Sequence, residues 1–167
     1  VRRVIGKTID GEKYVINDII FSDNGKTSQV DHIVINSRGV FVIETKNYSG
    51  TIYGSEDQRE WTQVLAYGNV KNKFYNPIKQ NATHVYNVKK IIGKFPIYSL
   101  VVFVQNNTLN IDAENVIALS ELKRVLRSGQ AILSVKEMET AYEKLLKAKT
   151  DITAKEHIKN IRKQQSD

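Results

Sequence analysis

Between residues 14 and 46 the sequence sets three strand-like runs in succession with only tight turns between them. YVINDIIF (14–21) is rich in β-branched and aromatic residues. Asn24-Gly25, inside the polar stretch SDNGKTS, is a hairpin signal because both residue types tolerate positive φ. QVDHIVIN (29–36) follows, and Ser37-Arg38-Gly39 makes a second turn into VFVIETK (40–46). Connections this short oblige neighbouring strands to run antiparallel. The expected start is an antiparallel meander.

Around the meander the reading is coarser. VRRVIG at the start reads as the last turns of a helix with Gly6 near its C-cap, and Asp10-Gly11 as a turn. TIYG (51–54) and EWTQVLA (60–66) are short strand candidates, with a turn at Gly68-Asn69 before KFY. Asn76 is a good N-cap and Pro77 suits the first helical position. Ile78, Val85, Val88 and Ile92 recur at near-helical spacing until Gly93, which predicts one helix over 77–92. IYSLVVFV (97–104) is apolar almost throughout and predicts a central strand buried on both faces. Ser120 is expected to cap a helix over ELKRVLR. The capping-box patterns Ser134…Glu137 and Thr153…Glu156 predict helices at about 134–148 and 153–164. The expected class is α/β: a mixed central sheet in αβββαβ order, the first helix truncated, with a helical C-terminal extension. Residues 1–112 are expected to form the core and 113–167 an extension packed on it, one domain overall.

Composition narrows the function. The 167 residues allow one well-formed core and not two large domains. With no Cys, disulfides, zinc fingers and thiol catalysis are excluded. No apolar run approaches the roughly 20 residues that span a bilayer. Lys and Arg number 25 against 18 Asp and Glu, a formal +7, which suits a polyanionic partner such as nucleic acid or a membrane surface. The chain begins at Val rather than Met, so an upstream segment is expected, and a membrane tether would have to lie there.

The chemistry concentrates on the second and third strands. Period-2 geometry puts Gln29, Asp31, Ile33 and Ile35 on one face, and Glu44 and Lys46 together with Thr45 opposite. A buried carboxylate pair is costly unless a cation neutralises it. Two carboxylates and a main-chain carbonyl are the hard oxygen ligands that Mg²⁺ (or Mn²⁺) prefers. A lysine beside that ion can orient or deprotonate a water, or offset charge forming at phosphorus. The pattern matches metal-assisted phosphodiester hydrolysis. The same residues also read as a solvated strand edge with a surface ion pair, since E-x-K alone is a short pattern.

The string QVDHIVINSRGVFVIETKNYSGTIYGSE, followed by WTQ and FYNPIKQNATHV, resembles the NERD (nuclease-related domain) family. The resemblance is specific over 29–85 and looser from 97 onward. It implies a member of the PD-(D/E)xK superfamily with a restriction-endonuclease-like core. The family's acidic position falls on Asp31 and its E-x-K on Glu44, Thr45 and Lys46. The NPI-x-QN segment matches at Asn76, Pro77, Ile78, Gln80 and Asn81, which puts Gln80 on the helix after the sheet. The implied activity is a Mg²⁺-dependent DNA endonuclease or exonuclease. In it Asp31 and Glu44 bind the metal, Thr45 gives its carbonyl, Lys46 handles the water and Gln80 supports the site. The sequence departs from the family at its Gly-Glu pair, which belongs in a first helix. Gly11-Glu12 lies immediately before the first strand, so Glu12 reads as a turn residue and the pair is expected upstream of Val1.

Other residues carry less. Gln29 shares the Asp31 face and is a candidate contact to water or substrate. Lys71, Lys73, Lys79, Lys89 and Lys90 are candidate phosphate contacts, with a solvated face as the plain alternative. His32 faces away from Asp31, while His84 and His157 read as surface or packing residues. Trp61 and Gln63 belong to the WTQ string, Trp61 reading as core packing or, if exposed, as a stacking platform. Tyr48, Tyr53 and Tyr75 either pack or rim a cleft. The expected partner is nucleic acid, DNA before RNA, with no small-molecule cofactor and a cytoplasmic location. A non-catalytic nucleic-acid or protein-interaction module on the same fold is the rival reading. A tethered membrane-surface regulatory domain is a third, resting on charge alone.

Overall fold

Strand β1 (Lys13–Asp23) turns through Asn24 and Gly25, at φ of 49° and 77°, into β2 (Lys26–Asn36). The turn after β2 leads into β3 (Gly39–Lys46). These three strands pair antiparallel, β2 with β3 from Asn36↔Gly39 to His32↔Ile43. The computed structural model describes residues 1–149, 158–159 and 161–163.

Helix α1 (Arg2–Ile5) precedes the meander and stops at Gly6, whose φ of 71° a side chain would resist. Helix α2 (Pro77–Ile92) starts where the sequence places it: Asn76 Oδ1 accepts the Ile78 N–H at 2.9 Å. The helix returns the chain to β7 (Ile97–Phe103), which runs parallel to β3 from Val40↔Ile97 to Lys46↔Phe103. A short β9 (Val116–Ala118) pairs parallel with β7, giving the order β1-β2-β3-β7-β9.

Both faces of this mixed sheet are covered where β7 runs through Leu100, Val101, Val102 and Phe103, all buried. Ile97 and Ser99 are partly exposed and Tyr98 is exposed, so the expected burial on both faces holds only for the second half of the strand. Val30, Ile33, Ile35, Val40 and Val42 pack on one side against Val88 and Ile92 of α2 and Met138 and Leu145 of α4 (Val135–Ala148). On the other side Val34, Phe41, Ile43 and Val102 meet Ile5 of α1 and Leu122 of α3 (Leu119–Arg127). The result is the mixed α/β, nuclease-like architecture with a helical C-terminal extension that the sequence implies.

The segments between β3 and α2, which looked irregular in sequence, form a second sheet. β4 (Thr51–Ser55), β5 (Glu60–Leu65), β6 (Val70–Tyr75) and β8 (Thr108–Asp112) take the order β6-β5-β4-β8. Ile52 and Trp61 on its inner face are fully buried against Val101 and Phe103 of β7.

Two further expectations need correction and one falls elsewhere. Ser120 does not cap α3. The strand β9 runs directly into the helix, Ala118 occupies the cap position, and its N–H donates to the Glu121 carboxylate at 3.1 Å. The central apolar strand stops at Phe103, one residue before Val104. Of the helix expected at 153–164, residues 158–159 and 161–163 are helical and the remainder lies outside the described residues. Among the described residues no helix is long and apolar enough to cross a membrane.

Candidate active site

One register step beyond the last β2–β3 pair, His32↔Ile43, stand Asp31 and Glu44. There the Asp31 carboxylate accepts the Thr45 N–H at 2.9 Å. In an extended strand the N–H and C=O of one residue point to the same edge, so the Thr45 carbonyl lies on the Asp31 side as well. Glu44 shares its face with Val40 and Val42 and is therefore turned toward α2. It is 4% exposed.

Helix α2 supplies the other half. Gln80 and His84 are four residues apart and share a helix face. Lys46 Nζ lies 3.0 Å from Glu44 Oε1 and donates to Gln80 Oε1 at 2.8 Å. His84 Nε2 lies at an ion-pair distance of 3.4 Å from Glu44 Oε2, and both ring nitrogens are buried without a hydrogen bond of good geometry. Gln29, Asp31, Glu44, Gln80 and His84 line one cavity of about 370 Å³, which Ile161 of the C-terminal segment also touches.

Two fully buried asparagines fix α2 in this position. Asn81 Nδ2 donates to the Val42 carbonyl at 2.9 Å and to Ser99 Oγ at 2.8 Å, tying the helix to β3 and β7 beside the site. Asn76, besides capping α2, donates to the carbonyls of Ser55, Glu56 and Gln58, which anchors the helix start to the second sheet.

The two carboxylates titrate in opposite directions. Burial and the nearby Glu44 charge push Asp31 above its ordinary value, and the Thr45 N–H and Lys46 only moderate the rise. Burial alone would raise Glu44 too, but the His84 imidazole and the Lys46 ammonium outweigh it and hold Glu44 low. Among the described residues no three His, Cys, Asp or Glu side chains are placed to share a metal ion. A cation here would rest on Asp31, Glu44, the Thr45 carbonyl and water. Such an all-oxygen donor set, with one carboxylate left costly by its neighbour, suits a hard divalent ion.

The remaining candidates sort by position. Lys79 is exposed on α2 next to Gln80, while Lys71 and Lys73 are exposed on β6 of the second sheet. Lys89 and Lys90 lie in the last turn of α2, Lys90 with its Nζ 5.6 Å from the Tyr86 ring centroid. His32 faces away from the cavity and bonds Asn17 Oδ1 through Nδ1 at 2.6 Å. Burial, with the N-terminal and Arg2 charges, lowers its pKa to about 4. Trp61 is fully buried and donates to the Ser55 carbonyl, so it packs and is closed to bases. Gln63 is also buried, donating to the Ser49 carbonyl. Tyr48 stacks on Phe74 with centroids 4.3 Å apart, whereas Tyr53 and Tyr75 are about half exposed at 47% and 50%. Glu12 sits in the turn before β1, lining a different cavity beside Val4 and Lys13. His157 lies outside the described residues.

His84 has a contact that the sequence reading did not assign. Of the two readings, surface or packing, burial bears out packing, and its neighbour is Glu44; the signal for that contact was the four-residue spacing from Gln80.

The family model described as nuclease-related domain matches residues 2–104. An uncharacterized protein of Bacillus anthracis is 32% identical over 172 residues, covering 96% of this chain and 80% of that protein. No solved structure matches the chain. The match takes in β1 to β7, with Asp31, the Glu44-Thr45-Lys46 strand end and the Gln80 helix inside it, and the chain belongs to the nuclease-related domain family.

Proposed function

We propose that this chain is a metal-dependent nuclease that hydrolyses phosphodiester bonds in DNA. The observation that carries the reading is the Lys46 ammonium held between Glu44 Oε1 and Gln80 Oε1, at 3.0 and 2.8 Å, two residues that line one cavity with Asp31. A structural ion pair needs only one of those partners. Two acceptors from different elements fix where the ammonium points.

Asp31, Glu44 and the Thr45 carbonyl would hold Mg²⁺ or Mn²⁺, which when bound supplies Lewis acidity toward the phosphoryl oxygen and a more acidic water. A lysine ammonium has three N–H donors. Two are directed at Glu44 and Gln80, which leaves the third for a water or a phosphate oxygen. In that position Lys46 orients the attacking water and offsets the charge that grows on the phosphoryl oxygens. Gln80 holds the ammonium without adding charge. Gln29, on the same cavity wall, is placed to contact water or substrate. Lys71, Lys73 and Lys79 would contribute sequence-independent phosphate contacts.

Purified protein incubated with plasmid DNA tests this. Nicking or linearisation that requires Mg²⁺ or Mn²⁺, stops with chelator and is lost in Lys46→Ala is the expected result. DNA binding with no cleavage in either metal, unchanged by Lys46→Ala, would favour a non-catalytic module instead.

A further inference from the structure

We infer that the outer face of the second sheet is a stacking platform for single-stranded nucleic acid. This rests on the nuclease reading for its choice of polymer, and on the sheet itself for its geometry. The register puts Thr51, Tyr53 and Ser55 of β4 on one face with Glu60, Thr62 and Val64 of β5, and Lys71, Lys73 and Tyr75 of β6 continue it. Thr108, Asn110 and Asp112 of β8 complete the face on the other side.

Burial separates this face from its reverse. Ile52, Trp61 and Gln63 point inward and are buried, while Tyr53, Lys71, Lys73, Tyr75 and Asn110 are exposed. Tyr53 sits on an interior strand, so nothing about the edge of a sheet explains it. Its cross-strand partners are Thr62 and Asn110, and its neighbours along the strand on that face are Thr51 and Ser55. All four are short, so the aromatic ring stands above its surroundings at 47% exposure.

Charge is arranged along the same face. Lys71 stands in the row of Thr51 and Lys73 in the row of Tyr53, while the acids Glu60 and Asp112 occupy the row of Ser55. Residues 47–50 alone separate Thr51 from Lys46, so the basic end is the one joined directly to the catalytic strand. An aromatic ring among small hydrogen-bonding residues, with lysines on the strand beyond, matches an unpaired base with its phosphates. A duplex keeps its bases stacked on one another and offers the ring nothing. The occupant is a single strand.

Fluorescence anisotropy with a labelled oligothymidylate, and with its duplex formed on oligodeoxyadenylate, tests the inference on the full chain in chelator. Tyr53→Ala is expected to weaken single-strand binding by about fivefold or more, the range that loss of one stacked base gives. Tyr53→Phe should restore it, and duplex binding by Tyr53→Ala should change by less than about twofold. Replacing Lys71 and Lys73 together by Ala should reduce the slope of log Kd against log salt by about 1.4, two single-strand phosphates. Circular dichroism on each variant separates loss of the platform from loss of the fold. Unchanged oligothymidylate binding in folded Tyr53→Ala, or an equal loss on duplex, overturns the inference. Cleavage with Tyr53-insensitive binding would remove the platform and leave the nuclease. Absence of cleavage with Tyr53-dependent binding would do the reverse.

Discussion

Gln80 reaches from helix α2 to accept a hydrogen bond from Lys46 at 2.8 Å, so a helix and the end of a central strand meet at one ammonium group. In the proposed reaction that relationship gives Gln80 a positioning role. Gln80→Ala should lower kcat for cleavage by about 10- to 100-fold with a smaller change in KM, since misplacing a catalytic group by an ångström has effects of that order. Steady-state cleavage of a labelled oligonucleotide measures both. A change confined to KM would mean that Gln80 binds substrate instead.

The opposed carboxylates predict opposed pH dependence. Asp31 is raised, so between its ordinary value of 3.8 and its native value the folded chain binds more protons than the unfolded one, and stability falls as pH rises. Asp31→Asn, which keeps an oxygen for the Thr45 N–H, should match the parent Tm near pH 3 and exceed it at pH 7. Glu44 is lowered, so its contribution is complete above its ordinary 4.5 and is lost as pH falls through its native value. Glu44→Gln should cost about 1–3 kcal/mol at neutral pH, leaving Lys46 without its carboxylate, and nothing in strong acid. Thermal melts across pH check both signs.

Asn81 and Asn76 should behave as structural residues. Asn81→Ala removes the bonds that tie α2 to the Val42 carbonyl and the Ser99 hydroxyl and empties a fully buried position, an expected loss of about 2–4 kcal/mol. Asn76→Asp keeps the helix-capping oxygen and removes the donors to three carbonyls. It should destabilise by about 1–3 kcal/mol although it is a good N-cap residue. Urea denaturation gives both values, and a neutral Asn76→Asp would mean that capping is all Asn76 does.

Gly54 is held by its neighbour. A Cβ there would lie 2.4 Å from the Trp61 ring, which is fully buried and stacked on Phe103. Gly54→Ala should therefore cost about 2 kcal/mol or more by overpacking. A shift in Trp61 fluorescence is expected to accompany the loss of stability.

The sequence made the meander legible because its turns are chemically marked, by Asn24-Gly25 and Ser37-Arg38-Gly39. It made α2 legible because Asn76-Pro77 both caps and starts it. Asp31, Glu44 and Lys46 could be put on their faces by counting in twos. The second sheet was harder to see, since its strands are short, Gly54 and the polar run of β6 blur the alternation, and β8 pairs across a long sequence interval with β4. His84 escaped notice for another reason. A lone histidine on a helix is usually a packing residue, and only the arrival of Glu44 from β3 turns it toward the site.

The proposed nuclease requires that Asp31 and Glu44 share a divalent cation. Anomalous diffraction from crystals grown or soaked with Mn²⁺ tests it most directly. One strong peak is expected within about 2–2.5 Å of an oxygen from each carboxylate and of the Thr45 carbonyl, absent from Asp31→Asn crystals treated identically. Crystals that cleave DNA when dissolved yet show Mn²⁺ bound elsewhere, with Asp31 and Glu44 bare, would contradict it.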